Sequence, residues 1–174
     1  MQKMDTHRLK YLGAYSEEVR SQVSQLLEQD KVGGILLKRY PDAHQIRTDG
    51  ALYVYAHDLK SRHLSNAEPI TKVAYDNKIR VINHALGLHT SISRVQGTKL
   101  KAKREIRIST IFKLVPQEFL TMIVVHELAH FKFKDHDKAF YKLCTHIEAN
   151  YHQYEFDLRL YLTLLDSGGP TLWD

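Results

Sequence analysis

Apolar positions along the chain fall into short regular patterns, and each pattern predicts an element. From Ser16 to Asp30, Val19, Val23, Leu26 and Leu27 recur at helical spacing, the stripe of a helix with one buried face. Ser16 suits its N-cap and Glu17 and Glu18 its positive end, and Gly33-Gly34 are expected to stop it. Further on, Leu52, Val54 and Ala56 alternate with Tyr53, Tyr55 and His57, which is the period of a strand. With Gln45 to Arg47 before it and Asp49-Gly50 between, this region reads as a hairpin. Lys72 to His84 reads as partly helical. Ser91 to Val95 and Glu105 to Phe112 read as strands joined by a loop around Gly97.

The second half is helical in pattern. Pro116 opens a helix that runs to about His130 or Phe131. Its positions Phe119, Leu120 and Met122 to Val125 are almost continuously apolar, as in a helix buried on all sides. Asp137 to Glu148 and Tyr151 to Leu165 form two more helices. Ser167-Gly168-Gly169-Pro170 ends regular structure, leaving 167–174 as a loose tail. The order of helix, strands, then helices predicts one α+β domain over 1–166, with a small, mostly antiparallel sheet.

Composition narrows the class. A chain of 174 residues with 43% hydrophobic and 26% charged residues is ordinary for one globular domain. No apolar run reaches the length of a membrane span, and the polar, basic N-terminus lacks the apolar core of a secretory signal. Cys144 is the single cysteine. That excludes disulfides within the chain and zinc fingers built on paired cysteines, and it fits a reducing cytoplasm. The formal net charge of +5 is compatible with an acidic partner. Lys99, Lys101, Lys103, Arg104 and Arg107 concentrate that charge in one stretch, a candidate contact for nucleic acid.

The histidines change the picture most. In His126-Glu127-Leu128-Ala129-His130 the two imidazoles stand four residues apart, on one face of the predicted helix. Such a pair can hold one metal ion, and zinc suits nitrogen donors and an open fourth position. Glu127, rotated by about 100° around the helix axis, is placed to act as general base toward water at the metal. Two imidazoles and a carboxylate in so apolar a helix are costly without a partner. His136, beyond the helix end, is the expected third ligand, with Glu148 or Glu155 as the alternative from a later helix. The six-residue step from His130 matches metzincin spacing, but Phe133 stands where metzincins carry their turn glycine, and no methionine follows the motif. Cys144 reads as a small buried residue.

The motif, with His136 and Ala139-Phe140 after it, resembles the YgjP-like metallopeptidases, to which the WLM and SprT-like proteases are related. The likeness covers about Arg107 to Leu162 and includes Ile106-Arg107-Ile108-Ser109 as an edge strand beside the motif helix. It implies a compact zincin fold, zinc on His126, His130 and His136, and Glu127 as catalytic base; it does not settle the substrate, for which a peptide or protein is the leading expectation. Some SprT-like and WLM relatives cleave proteins attached to DNA, which gives the basic stretch an analogy. Arg94-Val95-Gln96-Gly97 stands where many family members carry Trp-Gly-Ser.

A hydrolase of this kind also needs a donor for the developing oxyanion. Tyr141, His146, Tyr151, His152, Tyr154 and Arg159 are the candidates, with His152 first. Glu148, Glu155 and Asp157 are candidate acceptors for the second nitrogens of the ligating imidazoles. The leading expectation is a cytoplasmic zinc metallopeptidase. The alternatives are a zinc hydrolase of a non-peptide amide, or a nucleic-acid-associated binding module whose zinc is structural.

Overall fold

The structure is a computed structural model that describes residues 9–79, 88–96 and 99–174, with backbone alone for 88–96 and 99–103. The chain is α+β, in the order α1 (Glu17–Glu28), α2 (Val32–Arg39), α3 (Asp49–His63), β1 (Lys72–Asp76), β2 (Leu88–Gln96), β3 (Lys99–Ser109), α4 (Gln117–Ala129), α5 (Lys138–Ile147) and α6 (Tyr151–Asp166).

α1 begins at the predicted cap, where Ser16 Oγ accepts from the Val19 amide at 3.3 Å. Its end differs from the expectation. Asp30 adopts a left-handed φ of 54°, the Asp30 amide donates to Leu27 O and the Lys31 amide to Leu26 O. This paired closure satisfies the last carbonyls, so no glycine is needed. Gly33 and Gly34 lie inside α2 instead. Gly33 has a packing role: a Cβ there would stand 3.2 Å from Leu172 Cδ2.

The expected hairpin at Asp49-Gly50 is a helix. Thr48 Oγ1 accepts from the Ala51 amide at 3.1 Å and caps α3, and Asp49 sits in the first turn, where the dipole favours an acid. Leu52, Ala56 and Leu59 are buried, whereas Val54 is 67% exposed. The buried set therefore follows helical spacing rather than the two-residue period read between 51 and 59. Asp49 Oδ1 also accepts from the Tyr75 amide at 2.9 Å, which ties the start of α3 to β1.

The sheet has the order β1-β3-β2. β1 runs parallel to β3, with Val73 opposite Ile106, and β2 runs antiparallel to β3 over the longer register from Leu88–Arg107 to Gln96–Lys99. Lys72 to Asp76 is thus a strand, and 77–78 form a turn, not helix; the remainder of that expectation, 80–84, and the loop at Gly97 lie outside the described residues. Val73, Ile106 and Ile108 turn one face of the sheet into the core. β3 stops at Ser109, and Thr110–Lys113 form a 3-10 turn, so Phe112 belongs to that turn rather than to the strand.

Every residue of α4 from Phe119 to Ala129 except Thr121 is buried. It is the central helix, with the sheet, α3, α5 and α6 around it. Two polar anchors align the helices at its sides. Asp157, wholly buried on α6, accepts from Arg39 Nη1 at 2.7 and 2.8 Å, from Tyr40 Oη at 2.5 Å and from Gln153 Nε2 at 3.2 Å. His44 Nδ1 accepts from the Ile46 amide, so Nε2 carries the proton that goes to Phe112 O at 2.6 Å. The C-terminal residues, expected to be loose, return to the core. Trp173 is 3% exposed, donates from Nε1 to Tyr40 O at 2.8 Å, and meets Phe119 and Tyr161 edge-on. A large aromatic with a polar tip buries well when that tip finds an acceptor.

The Arg39–Asp157 contact is asymmetric, because the arginine is 46% exposed and the carboxylate 0%. Arg39→Met leaves a buried charge behind and is expected to cost about 3 kcal/mol. Asp157→Asn frees Arg39 into water and is expected to cost about 1–2 kcal/mol. Urea unfolding of both variants checks the order; an equal or reversed order contradicts the assigned burial.

Candidate metal centre

His126 lies in the last turn of α4 and His130 is its C-cap residue. The helix then closes through a tight turn, with the Phe131 amide on Leu128 O, and the Lys132 and Phe133 amides both on Ala129 O. Among the described residues Asp30 is the one non-glycine residue with positive φ. The turn after His130 therefore needs no glycine, which explains how Phe133 can occupy the midway position. The turn carries the chain back so that His136 Nε2 stands 3.2 Å from His126 Nε2 and 3.0 Å from His130 Nε2.

The chemistry of these donors fits a cation. His130 Nδ1 lies 2.9 Å from Phe133 O. A carbonyl only accepts, so Nδ1 carries the hydrogen and the neutral ring presents a lone pair at Nε2. His126 Nδ1 lies 2.7 Å from Tyr151 Oη in the buried interior, so its Nε2 is likewise the atom turned to the group. His136 Nε2 lies within hydrogen-bond length of both other Nε2 atoms and has at most one hydrogen to share between them. Around a tetrahedral ion with nitrogens at about 2.0–2.1 Å, neighbouring donors stand about 3.3–3.4 Å apart, close to the observed spacing. His126, His130 and His136 form a group of three that could hold a metal ion, with ligand atoms all within 4.8 Å. A three-donor set leaves a fourth position open, as catalytic rather than structural sites do.

One side chain organises all three rings. Phe140, fully buried in the first turn of α5, has its centroid 5.0 Å from that of His126, 4.7 Å from His130 and 4.9 Å from His136. α5 is set in place by Asp137, whose Oδ1 accepts from the Phe140 amide at 2.9 Å. The same cap that starts the helix, one residue beyond the third histidine, thus seats the aromatic wall four residues beyond it. Glu127 is 0% exposed, on the same turn of α4 as His126.

The partners of the imidazole Nδ1 atoms are not those expected. Tyr151, an oxyanion candidate by sequence, stands instead at His126 Nδ1, and the partner of His130 Nδ1 is the backbone carbonyl of Phe133. Of the expected acceptors, Asp157 holds Arg39 and Tyr40, Glu155 takes Arg159 at 3.0 Å, and Glu148 Oε1 accepts from the Asn150 amide at 3.0 Å. The two glutamates are accordingly not members of the three-histidine group. Burial holds the Tyr151 hydroxyl well above the ordinary phenol range, so it remains a neutral hydrogen-bonding group. Cys144 lies beside it, wholly buried, its thiol pushed up to about 12 by burial; it is the inert core residue expected.

The other oxyanion candidates are spread over α5 and α6. Tyr141, half-buried, has its ring 6.4 Å from that of His136. His152 is exposed and stands behind Tyr141, ring to ring at 5.4 Å. Arg159 is engaged by Glu155 and by Tyr11 O, and the Tyr154 ring packs beside Tyr40. In the basic stretch, the side chains of Lys99, Lys101 and Lys103 lie outside the described residues. Arg104 pairs with Glu68 and lies over the Phe131 ring, and Arg107 pairs with Asp76 and Glu105. Among the described residues no helix is long and apolar enough to cross a membrane.

Removal of the Tyr151 hydroxyl tests the support of the first imidazole. Tyr151→Phe keeps the ring in the core and is expected to weaken metal binding about 10- to 100-fold, measured by competition with a chromogenic chelator. Unchanged affinity would show that Tyr151 only fills space.

The model of the YgjP-like family, a metallopeptidase domain, matches residues 52–161. The chain is also 58% identical over 160 residues to a UTP pyrophosphatase of Escherichia coli (strain K12), covering 92% of this chain and 96% of that protein. No solved structure matches it. The histidine group and the family's domain together indicate a metal ion and a hydrolytic chemistry. With most of the chain matched in both comparisons, this protein belongs to the YgjP-like family and is a metal-dependent hydrolase.

Proposed function

We propose that the chain hydrolyses a nucleoside triphosphate, UTP foremost, to the monophosphate and pyrophosphate, using zinc held by His126, His130 and His136. The observation that carries the hydrolytic part is the convergence of three imidazole nitrogens beside a buried carboxylate on one helix. The choice of a phosphoanhydride over a peptide bond rests on the similarity to a protein named UTP pyrophosphatase, at 58% identity across nearly the whole length.

Zinc supplies Lewis acidity, which polarises a phosphoryl oxygen and makes nearby water more acidic. The remaining work falls to side chains. Glu127 accepts a proton from the attacking water as its oxygen bonds to the α-phosphorus. The bond from that phosphorus to the bridging oxygen breaks, pyrophosphate leaves, and the proton passes from Glu127 to solvent or to the leaving group. Phe140 keeps the imidazoles from rotating, and the partners at Nδ1 hold their lone pairs inward. His152, whose ring stands 5.4 Å from that of Tyr141, is the proposed donor to charge on the leaving phosphates. The single buried cysteine fits a reducing compartment, and we place the protein in the cytoplasm on that ground.

Peptide hydrolysis is the second reading, favoured by the family's description as a metallopeptidase domain. The same base and metal would serve it, with water attacking a carbonyl carbon.

Metal-loaded parent protein and Glu127→Gln are to be compared on UTP and on an unfolded protein substrate. The expected result is about one zinc per chain in both proteins, and UMP plus pyrophosphate from the parent, slowed about 100- to 10,000-fold in the variant. Peptide cleavage without UTP hydrolysis would replace the first reading by the second. Equal UTP turnover in both proteins would remove Glu127 from the mechanism.

A further inference from the structure

A cavity of about 330 Å³ opens between α3 and the segment leading into β1. Lys60, His57 and Ser61 line it from the helix and Ser65 from the segment, with Tyr53 and Ile70 among its apolar walls. No member of the histidine group is among its lining residues.

Lys60 is the unusual residue. Lysine normally buries its stem and keeps the ammonium in water, yet Lys60 is 8% exposed. An ammonium offers three donors. The hydrogen bond Lys60 makes among the described residues is a long one, 3.4 Å to Leu64 O. Among the described residues no carboxylate lines the cavity. The neighbouring acids are engaged elsewhere, Asp58 by Arg62 at 2.6 Å and Glu68 by Arg104 at 2.8 Å. A buried cation is costly unless paired, and this one borders a polar hollow that also presents hydroxyls from Ser61 and Ser65 and the His57 imidazole. These groups are the donors that a phosphoryl oxygen accepts from.

The cavity is larger than a single phosphate ion needs and falls at the lower end of small-molecule pockets, roughly 300–1,000 Å³. Tyr53 and His57, both lining the cavity, have ring centroids 5.8 Å apart at 23°, two aromatic side chains beside which a planar ring can pack. We propose that this cavity is a ligand site separate from the histidine group. It takes a small phosphate-bearing molecule, with the phosphoryl group on Lys60, Ser61 and Ser65 and a planar body against Tyr53 and His57. The proposal does not rest on the reaction assigned to Glu127.

Titration of the metal-loaded full chain with UMP and, separately, with inorganic phosphate tests it, followed by calorimetry and by amide chemical shifts. The expected result is saturable binding that moves the Ser61, Ser65 and Ile70 resonances, with UMP the tighter of the two. Lys60→Gln is expected to weaken both ligands about ten-fold or more. Ser65→Ala, at an exposed position that the fold tolerates, is expected to weaken them by a smaller factor and provides the test should Lys60→Gln fail to fold. Inorganic phosphate binding as tightly as UMP would assign the site to the free anion. Shifts confined to the residues around His126 and His136, or affinities unchanged in both variants, would overturn the proposal.

Discussion

The geometry of this protein depends on holding three imidazoles with their lone pairs pointing at one another. That arrangement is repulsive by itself, so each ring must be gripped from behind. Phe133 O fixes the tautomer of His130, Tyr151 Oη holds the far side of His126, and Phe140 packs against all three rings. A metal ion held by the three Nε2 atoms would turn that mutual repulsion into coordination, and His136 Nε2 stands 3.2 and 3.0 Å from the other two, close to the spacing of donors around a tetrahedral ion.

Much of the remaining fold can be understood as support for that grip. α4 is apolar nearly all round because it is enclosed on every side, and enclosure fixes its rotation and hence the direction of His126 and Glu127. Tyr151 can reach His126 only if α6 lies at the right height along α4. The Asp157 contact with Arg39 and Tyr40 ties α6 to the end of α2, and Trp173 joins Tyr40, Phe119 and Tyr161 across three elements. The C-terminal residues therefore contribute to the alignment of the helix that carries the site, although they lie far from it in the chain.

A metal on three histidines with a neighbouring carboxylate does not by itself select a substrate. Water attack on a carbonyl carbon and on a phosphorus both need a Lewis acid and a base that takes a proton. The descriptions attached to the chain's relatives reflect this: one names a metallopeptidase domain and the other a UTP pyrophosphatase. Discrimination between such substrates lies in the groups that meet the part of the molecule distant from the reacting bond.

Local chemistry in the chain was enough to determine the helical second half. Pro116, Asp137 and the continuous apolar run of α4 act within a few residues of themselves, and the i, i+4 placement of two histidines follows from helix pitch alone. Local pattern failed where two periods fitted the same residues. Between 51 and 59, alternation and helical spacing share Leu52 and Ala56, and only the cap at Thr48 with the burial of Leu59 and exposure of Val54 chose the helix. Tertiary structure alone decided which groups stand behind the imidazoles, because Tyr151 is 25 residues from His126 and Phe133 acts through a backbone carbonyl that every residue type possesses. It alone also brought Trp173 into the core and left Lys60 buried beside a cavity. Burial and partnership over long separations are properties of packing, and no spacing in the chain encodes them.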